Sequence, residues 1–300
     1  MFWGIISGFS TALLNTAGYL FCSRFLLYYK NPVRLLTMAS LVMMVLSLPL
    51  VLWLCPFGMI PSLWSFLGKV VLAGLTYLIA QGAFFAAMRH FEASRISSLL
   101  SLKVIVLSVI FIFFGNKLNC LQILAVVTAS VSAMLFNWSG SQKSSVKGWL
   151  WLLTVLVFYS LEDMVETDLV LQMHNFTGYS KLYSAILTVP LMYSVLGVLT
   201  APLLFFFKPD LDQVKKVFPY AALWLVSQMT LLCCYAFLTP VFGNVILSTR
   251  GIFSVIAGML LPYFGLASLD SKIPAKLWIR RIAAAMVMLG AIILYSLASL

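Results

Sequence analysis

Long apolar runs separated by short polar turns fill almost the whole chain, and this pattern predicts an all-α integral membrane protein. A helix needs about 20 apolar residues to cross the hydrocarbon core of a bilayer, and ten runs approach or exceed that length. Turn-forming residues such as Asn31-Pro32 and Thr239-Pro240 separate the runs. The ten predicted transmembrane helices are 2–26, 33–56, 67–89, 95–114, 118–137, 148–170, 181–206, 216–238, 243–264 and 277–298.

The composition agrees with a membrane protein. Of the 300 residues, 63% are hydrophobic and 9% are charged, whereas soluble domains carry roughly 25% charged residues. The net charge of +11 does not indicate a nucleic-acid partner, because Lys and Arg are spread over short loops, as membrane topology requires. We therefore expect the lipid bilayer, and no nucleic acid, as the surroundings of this chain.

The distribution of basic residues predicts an orientation. The connections after the odd-numbered helices hold fourteen Lys and Arg residues, the other connections hold three, and two more lie inside predicted helices. Cytoplasmic loops carry the excess of positive charge. We expect a multi-pass protein of the cell (inner) membrane with both termini on the non-cytoplasmic side.

The two halves of the chain share polar positions at one offset. A shift of 147 residues matches them without a gap over most of the half. Five helices per half is an odd number, so the halves insert in opposite directions, as in many secondary transporters. We predict two inverted five-helix repeats, 1–143 and 144–300, in a single membrane domain. The matched pairs are Gln81 with Gln228, Ser101 with Ser248, Lys103 with Arg250, Asn15 with Glu162, and Arg34 with Lys181.

The last two helices of each half carry a resemblance to a known family. One segment is Phe91-Glu-Ala-Ser-Arg-Ile-Ser-Ser-Leu-Leu, running to Phe114-Gly-Asn. The other is Pro240-Val-Phe-Gly-Asn-Val-Ile-Leu, running to Phe264-Gly. With ten helices and short loops, the chain resembles the EamA-like branch of the drug/metabolite transporter superfamily. Members often have Glu after that glycine, where this chain has Asn116 and Leu266. The resemblance implies import or export of small metabolites through a central cavity.

The acidic residues are concentrated in the sixth predicted helix. Four of the eight lie there: Glu162, Asp163, Glu166 and Asp168. The spacings i,i+3 and i,i+4 bring the first three onto one helix face. A carboxylate in hydrocarbon costs several kcal/mol unless it is paired, protonated or facing water. We expect Asp168, near the outer end, to be hydrated, and the other three to need an internal explanation.

Two basic residues, Lys103 and Arg250, lie well inside predicted helices. They can pair with the acids, or they can hold a substrate carboxylate or phosphate. Three acids against two bases leave one carboxylate that can take up and release a proton. Glu162, Asp163 and Glu166 are therefore the candidates for proton coupling.

Neutral residues complete the candidate substrate site. Amide side chains bind either end of a polar ligand or form hydrogen bonds between helices, and aromatic rings line cavities or fill the core. The candidates of this kind are Asn15, Tyr77, Gln81, Trp224 and Gln228.

These patterns favour a secondary transporter that moves an amino acid or a related zwitterion by alternating access. The ammonium group would face Glu162 and Glu166, and the carboxylate would face Arg250 or Lys103. One alternative is a carrier of an anionic metabolite or a lipid-linked headgroup. A remote alternative is an intramembrane enzyme, although no metal-binding or nucleophile motif supports catalysis. We expect no cofactor and no metal, and either a monomer or a homodimer.

Overall fold

The computed structural model describes residues 1–59, 63–91, 96, 99–137, 145–260 and 275–298. Within these ranges the chain forms helices and turns and no strand. The predicted boundary between the repeats, at 143–144, lies outside the described residues. The helices are α1 (Phe2–Tyr29), α2 (Pro32–Leu54), α3 (Leu63–Ala87), α4 (Lys103–Phe113), α5 (Cys120–Asn137), α6 (Val146–Thr177), α7 (Lys181–Thr200), α8 (Leu211–Phe237), α9 (Pro240–Leu247), α10 (Arg250–Leu260) and α11 (Ala275–Leu297).

Six of the described helices are long and apolar enough to cross a membrane. They are Phe2–Tyr29, Pro32–Leu54, Phe66–Ala87, Val146–Thr177, Lys181–Phe205 and Leu211–Phe237. Three further apolar helices are shorter: Leu100–Phe113, Cys120–Leu135 and Ala283–Leu297. The chain is therefore an all-helical, multi-pass membrane protein, and that part of the prediction is confirmed.

Several predicted turns act as helix caps. The side chain of Asn31 accepts hydrogen bonds from the backbone N–H groups of Val33 and Arg34, at 3.0 and 3.1 Å, and this starts α2. Helix α6 ends where Gly178 adopts a left-handed conformation, with φ of 67°, which glycine tolerates without a steric penalty. This end lies seven residues beyond the predicted end at residue 170, because polar residues continue the helix up to the glycine.

The prediction of one continuous ninth helix is wrong for its described part. Helix α9 ends at Leu247, and α10 begins at Arg250. The hydroxyls of Ser248 and Thr249 donate back to the carbonyls of Asn244 and Ile246, at 2.8 and 2.7 Å. At the same point the backbone N–H groups of Thr249, Gly251 and Ile252 bond to carbonyls three residues back, which interrupts the regular pattern. The predicted end of this helix, 261–264, lies outside the described residues.

The fourth predicted helix is also irregular at its start. A 3₁₀ turn over Leu100–Leu102 precedes α4, so Lys103 is the first residue of the regular helix, as Arg250 is in α10. Residues 95, 97 and 98 of this predicted helix lie outside the described residues.

The helices pack in pairs around a shared interior. Helix α1 lies along α8, α3 along α6, α2 along α7, and α5 along α11. Helix α1 approaches the end of α8 and α9 closely at two glycines. A Cβ atom on Gly4 would lie 2.8 Å from Leu238 Cγ, and one on Gly8 would lie 2.8 Å from Ile246 Cγ2. The α1 backbone therefore contacts its neighbours where only glycine fits.

Candidate functional site

Helix α6 carries three carboxyl groups into the interior of the protein. The three residues are almost fully buried: Glu162 is 2% exposed, Asp163 is 3% exposed and Glu166 is 1% exposed. They lie within a little more than one helical turn, as the sequence predicts. Their surroundings decide which of them is neutralised.

Asp163 forms the buried ion pair of this region. Its Oδ2 lies 2.7 Å from the Nζ of Lys103, and both side chains are almost fully buried. The amide of Asn244 on α9 donates to the same oxygen at 2.7 Å. Lys103 also lies over the ring of Tyr159, at 5.6 Å from its centroid. The start of α4 thus brings a cation, and α9 brings an amide, to the middle of α6.

Glu162 and Glu166 are not neutralised in this way. Both Oε atoms of Glu166 and Oε1 of Glu162 are buried, and among the described residues each carboxyl group has only the other one near enough to share a proton with it. The two carboxyl groups lie close enough to interact electrostatically with each other, and both also interact with the charges of Lys103 and Asp163. Buried polar atoms without a partner are rare in folded proteins. Two such carboxyl groups side by side therefore define the candidate site.

Aromatic side chains surround these carboxyl groups. Tyr77 and Tyr193 lie within electrostatic range of both glutamates, and their rings meet edge to face at 5.4 Å. The hydroxyl of Tyr77 is fully buried and lies beside the hydroxyls of Tyr193 and Tyr220. Trp224 donates its Nε1–H to the Tyr193 hydroxyl at 2.9 Å. The candidate site is thus a pair of carboxyl groups among buried aromatic side chains.

Gln81 serves a structural role in this arrangement. Its Nε2 donates to the hydroxyl of Tyr220 at 2.6 Å, and its Oε1 accepts from the hydroxyl of Tyr159. The side chain is fully buried and joins α3, α6 and α8. Of the two interpretations open for this residue, a hydrogen bond between helices accounts for both ends of its amide.

Arg250 lies apart from the acidic groups. Within the described part of the chain it forms no ion pair, although its side chain is buried. Its guanidinium lies beside the hydroxyl of Tyr19, and its Nε has no hydrogen-bond partner. Of the two alternatives for the bases, pairing with an acid is observed for Lys103, and no acid pairs with Arg250 among the described residues. The side chain of Arg250 can still accept an anionic partner.

The remaining candidates lie between α1 and α8. Asn15 Oδ1 accepts a hydrogen bond from the hydroxyl of Ser227 at 2.6 Å, and Gln228 follows Ser227 in the chain. Both candidates are buried. No hydrogen bond joins either of them to Glu162 or Glu166 within the described ranges.

Polar clasps join the paired helices near their ends. Lys69 on α3 pairs with Asp168 on α6 at 2.5 Å, and both side chains are substantially exposed, as expected for Asp168. At the start of α8, Asp212 accepts from the Tyr29 hydroxyl at 2.8 Å and from Lys216 at 2.7 Å. The first clasp connects α3 to α6, and the second connects α1 to α8.

Sequence reasoning missed several residues that shape this site. They are Tyr159, Tyr193, Tyr220, Tyr235 and Asn244, all of which are buried. Aromatic residues make up 14% of the chain, so their identity alone could not mark them. Asn244 offered a signal, because an amide inside a predicted transmembrane helix requires a polar partner.

Comparisons with known proteins define a fold class and no family. No family model matches the chain, and no curated protein does. A solved chain described as "Crystal structure of protein" is similar over 98% of this chain and 97% of its own length, with a TM-score of 0.66 and 13% identity. At that identity the likeness concerns the fold alone. The chain is a multi-pass helical membrane protein whose fold resembles that of an experimentally determined structure.

Proposed function

We propose that this protein is an EamA-like secondary transporter that moves an amino acid or a related zwitterion across the cell membrane. The observation that carries the proposal is the pair of buried carboxyl groups, Glu162 and Glu166, whose oxygens largely lack partners. An intramembrane acid of this kind is costly and marks a substrate or proton pathway by default. A cationic group arriving between them would supply the missing partner.

The aromatic surroundings favour an ammonium group as that partner. Aromatic faces attract cations, and the rings of Tyr77 and Tyr193 adjoin both glutamates. Arg250, which has no carboxylate partner among the described residues, is suited to the carboxylate end of a zwitterion because its guanidinium binds planar anions in a bidentate manner. Lys103 is already held by Asp163, so it is the weaker candidate for this role.

Ten membrane crossings in two inverted repeats form part of the proposal. The hydroxyl of Ser101 donates to the carbonyl of Ser248 at 3.3 Å, and these residues are 147 positions apart. A residue that touches its own repeat partner is expected on a two-fold axis between halves. The helix pairs support the same relation, because the offset that carries α1 onto α6 also carries α3 onto α8, and both α1–α8 and α3–α6 are packed pairs. Helices interrupted before Lys103 and Arg250 are typical of such transporters.

Alternating access is supported by the two clasps. Lys69 and Lys216 are related by the same offset of 147 residues. Lys69 pairs with Asp168 across α3 and α6, and Lys216 donates to the Tyr29 hydroxyl across α8 and α1. The inverted arrangement would put these pairs at opposite membrane surfaces. Opening one clasp at a time would expose Glu166, which is 1% exposed here, to one side and then to the other.

Proton exchange follows from the same two carboxyl groups. In the part of the chain that the structure describes, neither has a basic partner of its own, so binding of an ammonium group and binding of protons compete for one site. A carrier with this competition exchanges substrate for protons.

Uptake into proteoliposomes tests the proposal. The panel contains a neutral amino acid, a cationic amino acid and a phosphorylated metabolite, each with and without an outward proton gradient (acidic lumen), because exchange for protons accumulates substrate only when protons leave the vesicle. We expect gradient-driven accumulation of an amino acid in the wild type and its loss in Glu162→Gln and Glu166→Gln. The matched control is Asp210→Asn, because Asp210 is exposed and caps α8, asparagine caps a helix equally well, and transport should therefore be normal.

Two outcomes would contradict the proposal. If only the phosphorylated compound is transported, and Glu162→Gln and Glu166→Gln transport it as well as the wild type does, the protein is an anion carrier that uses its basic residues. If the wild type moves no member of the panel, and none binds the purified protein, the proposed substrate class is wrong.

A further inference from the structure

A groove of about 600 Å³ lies on the outside of the helix bundle, away from the carboxyl groups. Its floor is one face of α3 from Leu78 to Ala86, and its sides are the start of α2 at Val33 and the first turns of α6 at Trp151. Val33 is 43% exposed and Trp151 is 37% exposed. In a membrane protein such a surface faces lipid chains.

The groove is charged at one end only. Arg89 and His90, which follow α3, and Lys147, at the start of α6, line that end, and no acidic residue lines the groove in the described part of the chain. The rest of the lining is apolar apart from the indole of Trp151. This asymmetry matches an amphiphile with an anionic head and an apolar chain.

The length of the groove fits one leaflet of a bilayer. From Leu78 to Arg89 the helix and the turn after it rise about 16 Å, which is about half of a hydrocarbon core of roughly 30 Å. The basic end belongs to the predicted cytoplasmic side, where anionic lipids are enriched and where basic pockets between helices bind their headgroups.

We propose that this groove binds an anionic phospholipid, with its phosphate between Arg89 and Lys147 and one acyl chain along Leu78–Ala86. A second copy of the chain fits less well, because a two-fold contact through this face would bring the same basic residues together. Free phosphate would leave the apolar walls uncovered. The proposal is independent of what the protein transports.

Native mass spectrometry of the detergent-purified protein tests this site. Phosphatidylglycerol and phosphatidylcholine with identical acyl chains are titrated onto wild type, Arg89→Gln/Lys147→Gln, and the control Lys208→Gln/Lys215→Gln. The control removes two exposed basic residues outside the groove. Each basic side chain contributes about fivefold to the affinity. We expect the groove variant to lose about 25-fold in phosphatidylglycerol affinity and the control to match the wild type.

A second measurement avoids the charge variant. Phosphatidylglycerol brominated on its acyl chains quenches the fluorescence of nearby tryptophan residues. We expect less of the total tryptophan fluorescence to be quenched in Trp151→Phe than in the wild type, because Trp151 lines the groove. Glycerol phosphate at millimolar concentration should not displace the lipid, since it lacks the chain.

Three results would overturn the proposal. The first is equal loss of lipid in the groove variant and the control. The second is equal affinity for phosphatidylcholine and phosphatidylglycerol. The third is quenching that Trp151→Phe leaves unchanged.

Discussion

Removing the positive charge of the buried ion pair should destabilise the protein strongly. Lys103→Met keeps most of the side-chain volume but leaves the Asp163 carboxylate buried without its cation. The two charged atoms lie 2.7 Å apart, and both side chains are almost excluded from solvent. At an effective dielectric constant of about 20, their attraction is about 6 kcal/mol.

Desolvation offsets much of this attraction, so the net effect depends on which partner remains. Removing one partner of a buried ion pair costs about 3–5 kcal/mol, whereas replacing both partners by uncharged side chains often changes the stability little. We expect Lys103→Met to lower the melting temperature by roughly 6–20 °C, at about 2–4 °C per kcal/mol. The double variant Lys103→Met/Asp163→Asn should recover most of the loss, because Asn at 163 can still accept from Asn244.

The assay is thermal unfolding of the detergent-solubilised protein, followed by size-exclusion chromatography with fluorescence detection. Lys69→Met is a matched control, because it breaks an ion pair of similar length whose side chains are 41% and 59% exposed. Exposed pairs contribute about 0–1 kcal/mol, so its melting temperature should fall by no more than about 4 °C. The reasoning is refuted if both lysine variants shift the melting temperature equally, or if the double variant is no more stable than Lys103→Met.

The packing, the hydrogen bonds and the clasps each yield a further prediction. Gly8→Ala should lower the unfolding free energy by about 1–3 kcal/mol, because its Cβ would meet Ile246. Gly68→Ala is the control and should not destabilise the protein, because a Cβ there meets nothing within 4 Å. Equal melting temperatures of the two variants would contradict the close contact at Gly8. Gln81→Leu should cost at least about 1–3 kcal/mol, because two buried tyrosine hydroxyls lose their partner; an unchanged melting temperature would contradict this network. In the double variant Tyr29→Cys/Asp212→Cys, a cleavable cross-link between the two thiols should stop transport, and cleaving it should restore transport. Undiminished uptake by the cross-linked protein would mean that α1 and α8 do not separate there.

The helices were predictable because long apolar runs end at residues with strong turn chemistry. Asn31 and Gly178 are two such residues, and both cap helices in the structure. The break between α9 and α10 was not predictable from hydropathy, because Ser248 and Thr249 are tolerated inside apolar helices. The break shows in the backbone, where the N–H groups of Thr249, Gly251 and Ile252 bond to the carbonyls three residues before them instead of four.

The candidate site was predictable in its residue types but not in its pairing. Three acids lie within about one turn, and the sequence does not show which of them forms an ion pair with a lysine on another helix. The rotation of α6 against α4 selects Asp163 for Lys103, and this rotation depends on packing over the whole interface. The position of Arg250 beside Tyr19 depends on packing in the same way. Periodicity along one helix contains no information about either.

The unpaired carboxyl groups lead to a prediction that separates stability from function. If Glu166 is kept for transport, its charge is a burden on the folded protein, because an ionised group without partners is costly in the interior. Glu166→Gln should then raise the unfolding free energy by about 1–3 kcal/mol while abolishing gradient-driven uptake, the trade-off expected where activity needs a destabilised site.

Thermal unfolding and proteoliposome uptake on the same preparation distinguish the two roles. A structural carboxylate would behave in the opposite way, since its loss would remove contacts and lower the melting temperature. Asp163 provides that contrast within the same helical turn: Asp163→Asn removes the partner of a buried lysine and should destabilise. If Glu166→Gln is destabilised to the same extent as Asp163→Asn, then Glu166 is part of the scaffold, and the case for a cation site on α6 fails.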